Sequence, residues 1–178
     1  MPFVLKCVLV ALVGFAAAYD FRFRRIPNWL NLSGIVLGAG ANTLLFARHG
    51  LEAALMGFGL ALALYLPLYM LRAMGAGDAK LMSAVGSVVG PQNWVVIFLF
   101  TAIAGGILAV AVALSKKDLK RTFLNVAVLM NELTHFRAPA VRHESLDVKS
   151  QRSMRLPHGV SIAAGSVAFL ILNSYLHL

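Results

Sequence analysis

At 178 residues, 60% hydrophobic, 13% charged and with mean hydropathy +0.79, the chain is too apolar for a soluble domain, whose surface would carry more charge. A net charge of +9 can signal nucleic acid, but here the placement of the cations points to membrane topology, and no nucleic-acid partner is expected. The composition fits one all-α, polytopic membrane helix bundle over residues 1–178, with about six transmembrane helices and a short fourth one.

Residues 2–19 form the first apolar run. Lys6 is its only cation, and Ala16-Ala17-Ala18 leads straight into Tyr19-Asp20, so the run reads as a retained helix rather than a cleaved signal peptide. Cys7 is the sole cysteine, which rules out an intrachain disulfide and a cysteine-based zinc site, and it reads as a small apolar residue. Asp20 to Arg25 is a short basic loop, and Ile26-Pro27-Asn28 opens a second helix over about 28–47 with Trp29 at its membrane edge. Arg48-His49-Gly50 is a minimal turn, which predicts an antiparallel hairpin with a third helix over about 51–71.

The tight turn Gly75-Ala76-Gly77 precedes Asp78 and an apolar segment over about 78–89. At 1.5 Å per residue that segment covers only about half of a ~30 Å hydrocarbon core, so it is short or lined by protein. Gly90-Pro91-Gln92-Asn93 turns the chain, Trp94 marks the opposite interface, and a fifth helix runs over about 94–114. The stretch 115–155 is basic, and its apolar portion Phe123 to Leu133 is too short to span, which suggests an interfacial helix. A sixth helix is expected over about 157–177. Gly34/Gly38 and Gly86/Gly90 have the four-residue spacing of small residues that lets helices approach closely in lipid.

The segments 20–25, 72–80 and 115–155 carry 14 of the 16 Lys and Arg residues. The positive-inside rule places that side in the cytoplasm, with both chain ends outside. Asp20 and Asp78 then share one side and one depth. A carboxylate at a membrane edge is costly unless it is used, and two at one level suggest a pair that activates water. Taken singly, Asp20 could be a solvated helix end paired with an arginine, and Asp78 an ordinary helix cap. Which of the two would act as base stays open.

Gly75-Ala76-Gly77-Asp78-Ala79-Lys80-Leu81 resembles the GxGDxKL signature of the type IV prepilin peptidases, the GxGD aspartyl proteases of membranes. Asp20 followed by Arg25-Ile26-Pro27-Asn28 resembles that family's first aspartate and its R-I-P-N, and Leu156-Pro157-His158-Gly159-Val160 resembles the opening of its last helix. The resemblance implies Asp20 and Asp78 as the catalytic dyad of an aspartic-type endopeptidase that cleaves a prepilin or pseudopilin leader at the cytoplasmic face of the bacterial inner membrane. It implies no cofactor. Gly75, Gly77, Lys80, Arg25, Pro27 and Asn28 would be supporting motif residues. Larger members carry paired CxxC motifs and an N-methyltransferase activity; with one cysteine, this chain looks like the short CpaA/TadV-type peptidases of tight-adherence (Flp) pilus systems, and methylation is expected to be absent.

Lys80 could tune Asp78, hold a substrate carbonyl, or be a cation snorkelling to the interface. Arg25 and Asn28 read as fixing the loop and capping the second helix, and His158 as an interfacial residue. His49, His135 and His143 show no metal-ligand spacing. Tyr19-Asp20 and Gly75-x-Gly77-Asp78 also resemble presenilin and signal-peptide-peptidase motifs, although R-I-P-N does not. A small proton-coupled transporter would favour midplane carboxylates and an internal repeat, and neither is seen.

Overall fold

The computed structural model describes residues 1–70, 74–115 and 158–175, and all regular structure among them is helical. Helix α1 is Phe3–Phe23, α2 Asn28–Met70, α3 Ala76–Ser115 and α4 His158–Tyr175. All four are long and apolar enough to cross a membrane. In lipid a backbone must bond to itself, which is why such sequences resolve into helices.

The expectation of six helices, with a separate short fourth one, is corrected to four. Two of the expected loops are single-residue breaks inside longer helices. In α2 the break is Ala47, with φ 52° and ψ −133°, while Arg48, His49 and Gly50 are already helical. Beyond it, a β-carbon on Gly50 would collide with the Asn42 carbonyl oxygen. In a straight helix those residues would stand about 12 Å apart, so the chain doubles back here. Both arms of α2 then pack on α3: Gly34 faces Ala84 from the first arm, and Gly57 meets Gly86 from the second.

The break in α3 is Gly90, with φ 75° and ψ 172°. Only glycine adopts this φ freely, and the extended ψ is what a following proline demands. Pro91 begins the second arm and has no N–H, so the Ser87 carbonyl loses its helical donor. Asn42 from α2 repairs this: its Nδ2 donates to Ser87 O at 3.1 Å, Val88 O at 2.9 Å and its own Gly38 O at 3.0 Å.

The first arm of α3 forms the centre of the bundle, with every residue from Leu81 to Gly90 buried. Gly57 and Gly86 touch backbone to backbone, and Gly38 lies against Ser87 and Val88, so the four-residue glycine spacing serves close packing as expected. Trp29 is exposed, as a membrane-edge residue should be. Trp94 does not mark an interface: it is 0% exposed, donates from Nε1 to Met82 O at 3.0 Å and stacks on Phe98. Burying the indole against a carbonyl satisfies its one donor. The expected interfacial helix at 123–133 and nearly all of the basic stretch 115–155 lie outside the described residues.

Candidate active site

One end of the bundle gathers the last turn of α1 and the first turns of α2, α3 and α4. Asp20 lies inside α1 rather than in a loop after it, because the helix continues to Phe23 and closes on Arg24. Arg24 has φ 53° and ψ 35°, and its N–H donates to Asp20 O at 2.8 Å, a left-handed C-terminal cap. The Asp20 side chain is 7% exposed, so it is no solvated helix end. Its Oδ2 accepts the backbone N–H of Gly159, in the first turn of α4, at 2.9 Å. A β-carbon on Gly159 would stand 2.9 Å from Asp20 Cβ and 3.1 Å from Oδ2, so only glycine lets the two helices meet here.

Asp78 sits two residues into α3. Its N–H donates to Gly75 O at 3.2 Å, and its carboxylate takes a backbone hydrogen bond from Gly75. The second of these is the side-chain half of a capping box, in which the third helical residue reaches back to the N–H of the residue before the helix. Glycine has no side chain for the other half, and its backbone carbonyl takes the Asp78 N–H instead. Gly75 leaves room for it, since a β-carbon there would lie 3.1 Å from Asp78 Oδ2. Gly77 lies over Ile26, where a β-carbon would touch at 3.4 Å, and so presses the α3 turn onto the segment before α2. The carboxyl of Asp78 is within electrostatic reach of both Asp20 and His158. The two aspartates, 58 positions apart in the chain, therefore share one site, as their common depth predicted.

Lys80 is exposed, and its Nζ donates to Asn28 Oδ1 at 2.9 Å. Of the roles considered for it, the one found is a cross-link between α2 and α3, and Asn28 serves that link with its side chain rather than as a cap. Pro27 stands just before α2 and accepts the Asn31 N–H at 3.4 Å. Arg25 is exposed on the segment between α1 and α2.

Three further residues belong to the site or border it. His158 opens α4 beside Asp78, so it is more than an interfacial residue. Tyr65, on the second arm of α2, is buried within electrostatic reach of Asp78. Asn31 is buried with both polar side-chain atoms unbonded among the described residues. The available signal for Asn31 was a polar residue inside an apolar run, which is costly in lipid. No group of three or more His, Cys, Asp or Glu among the described residues could hold a metal ion.

No curated protein and no solved structure matches this chain. A family model, that of the type IV leader peptidase family, matches residues 7–110 and so takes in both Asp20 and Asp78. The chain belongs to the type IV leader peptidase family.

Proposed function

We propose that this membrane peptidase is an aspartic-type endopeptidase that removes the leader of a type IV prepilin, of the Flp/Tad kind, at the cytoplasmic face of the inner membrane. The observation that carries this reading is the meeting of Asp20 and Asp78 at one end of the bundle, each held by a backbone N–H from a glycine.

Two carboxyl groups that share one proton can divide the labour of amide hydrolysis. The ionised one takes a proton from water as its oxygen attacks the scissile carbonyl, and the protonated one donates to the carbonyl oxygen. When the tetrahedral intermediate collapses, the C–N bond breaks and the amine leaves with a proton returned by the pair. The glycine N–H groups fix each carboxylate without adding charge, and no cofactor enters the scheme.

The cation bias supports a cytoplasmic position for this end, with both chain ends outside. Prepilin leaders are basic, so the anionic leaflet would hold them at that surface. The single cysteine supports a peptidase without the methyltransferase function. Asp20→Asn and Asp78→Asn should each lower leader cleavage by at least ~10³-fold while the protein inserts and accumulates normally, because an amide cannot ionise. Processing of a prepilin in reconstituted membranes reads this out, and retained cleavage in either variant rejects the two-aspartate mechanism.

A further inference from the structure

A cavity opens where Lys80 of α3 meets Asn28 of α2. It has a volume of about 390 Å³, and its polar lining is Asn28, Asn31, Lys80 and Ser83. The rest of its wall is apolar, with Leu32 and Ile35 from α2 and Phe58 and Leu62 from its second arm. Three of the four polar residues are already engaged: Lys80 with Asn28, and Ser83 Oγ with Ala79 O at 2.9 Å. Asn31 is different. It is 2% exposed, and neither its Nδ2 nor its Oδ1 has a hydrogen-bond partner among the described residues.

A buried polar group without a partner is rare, because the lost hydration is not replaced. A carboxamide presents a donor and an acceptor side by side, so the group that satisfies both is another amide, offering a C=O and an N–H together. In a peptidase, the abundant source of such a group is the substrate backbone. We propose that Asn31 is a substrate-positioning residue, which pairs with one backbone amide of the substrate on the apolar side of the cleavage point. This rests on the leader-peptidase reading above.

The geometry sets where that amide lies. At 100° per residue, Lys80 projects about 200° around α3 from Asp78, so the cavity and the carboxylates flank opposite faces of the same helical turn. A substrate backbone cannot pass through α3, and half the circumference of a helix about 10 Å across is about 16 Å, which an extended peptide covers in about five residues. Asn31 would therefore meet an amide about five residues from the cut bond. The apolar wall matches side chains from the hydrophobic segment that follows a leader. The substrate must be unwound at that point, since a helix bonds its own amides.

Asn31→Leu keeps the side-chain volume close and removes the two unbonded atoms, so the variant should accumulate and unfold no more readily than the parent. Its KM for a prepilin peptide should rise roughly tenfold with little change in kcat, the loss of about two neutral hydrogen bonds. A set of substrate peptides with one amide at a time replaced by an ester completes the test. Removing an N–H about five residues into the apolar side should weaken the parent roughly tenfold and the Asn31→Leu variant hardly at all.

An unchanged KM in Asn31→Leu, or ester effects equal in both proteins at every position, overturns the proposal and leaves Asn31 paired with water. A KM defect that follows lipid composition instead of ester position also overturns it, by making the occupant a lipid. Failure of the parent protein to cleave the all-amide peptide would instead reject the peptidase reading itself.

Discussion

Both arms of α3 are apolar, yet their surroundings are opposite. In the first arm every residue from Leu81 to Gly90 is buried. In the second, Val95, Leu99, Ile103, Ile107, Val110 and Leu114 are exposed and recur at three- or four-residue steps, a stripe along one side of the helix. Hydropathy does not distinguish these environments, because lipid tails are as apolar as a protein core. What differs is where the residues sit. Small residues occur in both arms, Gly105 and Gly106 among those of the second. In the enclosed arm, however, Ala79, Ser83, Ala84, Gly86, Ser87 and Gly90 are buried where neighbouring backbones come close, whereas the striped arm presents large aliphatic side chains to its surroundings.

The sharpest way to break this contrast is to enlarge the enclosed arm. A β-carbon on Gly86 would collide with the Gly57 backbone, first with its carbonyl oxygen. Gly86→Leu must therefore separate α2 from α3. The expected result is loss of more than ~3 kcal/mol of stability, above the usual range for overpacking because backbone cannot turn aside. Accumulation in membranes and the detergent unfolding midpoint measure it, and parent-like stability would refute the close approach.

Truncation in the same arm should come next. Leu81 is 0% exposed, and Leu81→Ala should leave a cavity that costs ~2–5 kcal/mol in a detergent or bicelle unfolding titration. Asn42→Leu should follow, at ~1–3 kcal/mol. It removes the donor that covers the Ser87 carbonyl orphaned by Pro91, and no water is at hand inside a bilayer to replace it. Asn42→Gln would test the reach: a partial recovery is expected, and full stability in Asn42→Leu would mean that the repair is not needed.

These cases also mark how much the sequence disclosed. The apolar runs located helical segments, and the cation bias put Asp20 and Asp78 at one end, where the structure has them together. The break at Gly90 was visible because Gly-Pro both permits and forces a change of direction. The break at Ala47 left no comparable trace: alanine has no turn preference, and one residue suffices, so 48–50 were read as a loop. Trp94 was misread because an aromatic belt presumes exposure to the interface, and hydropathy cannot show that protein surrounds it. Asn31 and Asn42 did carry a signal, as amides within apolar runs, but the carbonyls or cavity that they serve come from elements distant in sequence.

The smallest expected effect is the control that gives the others meaning. Leu99 lies on the stripe and is 55% exposed, against 0% for Leu81 in the other arm of the same helix. Leu99→Ala removes the same atoms as Leu81→Ala. If the stripe faces lipid, however, the acyl chains close over the smaller side chain, no cavity remains, and the lost contacts are protein–lipid contacts in both folded and unfolded states. The change should stay within about 0.5 kcal/mol, as for surface positions generally. Measured side by side in one bicelle composition, the two substitutions should therefore differ by at least ~1.5 kcal/mol. A cost for Leu99→Ala as large as that for Leu81→Ala would show that the stripe is covered by protein rather than lipid, and that the second arm is as enclosed as the first.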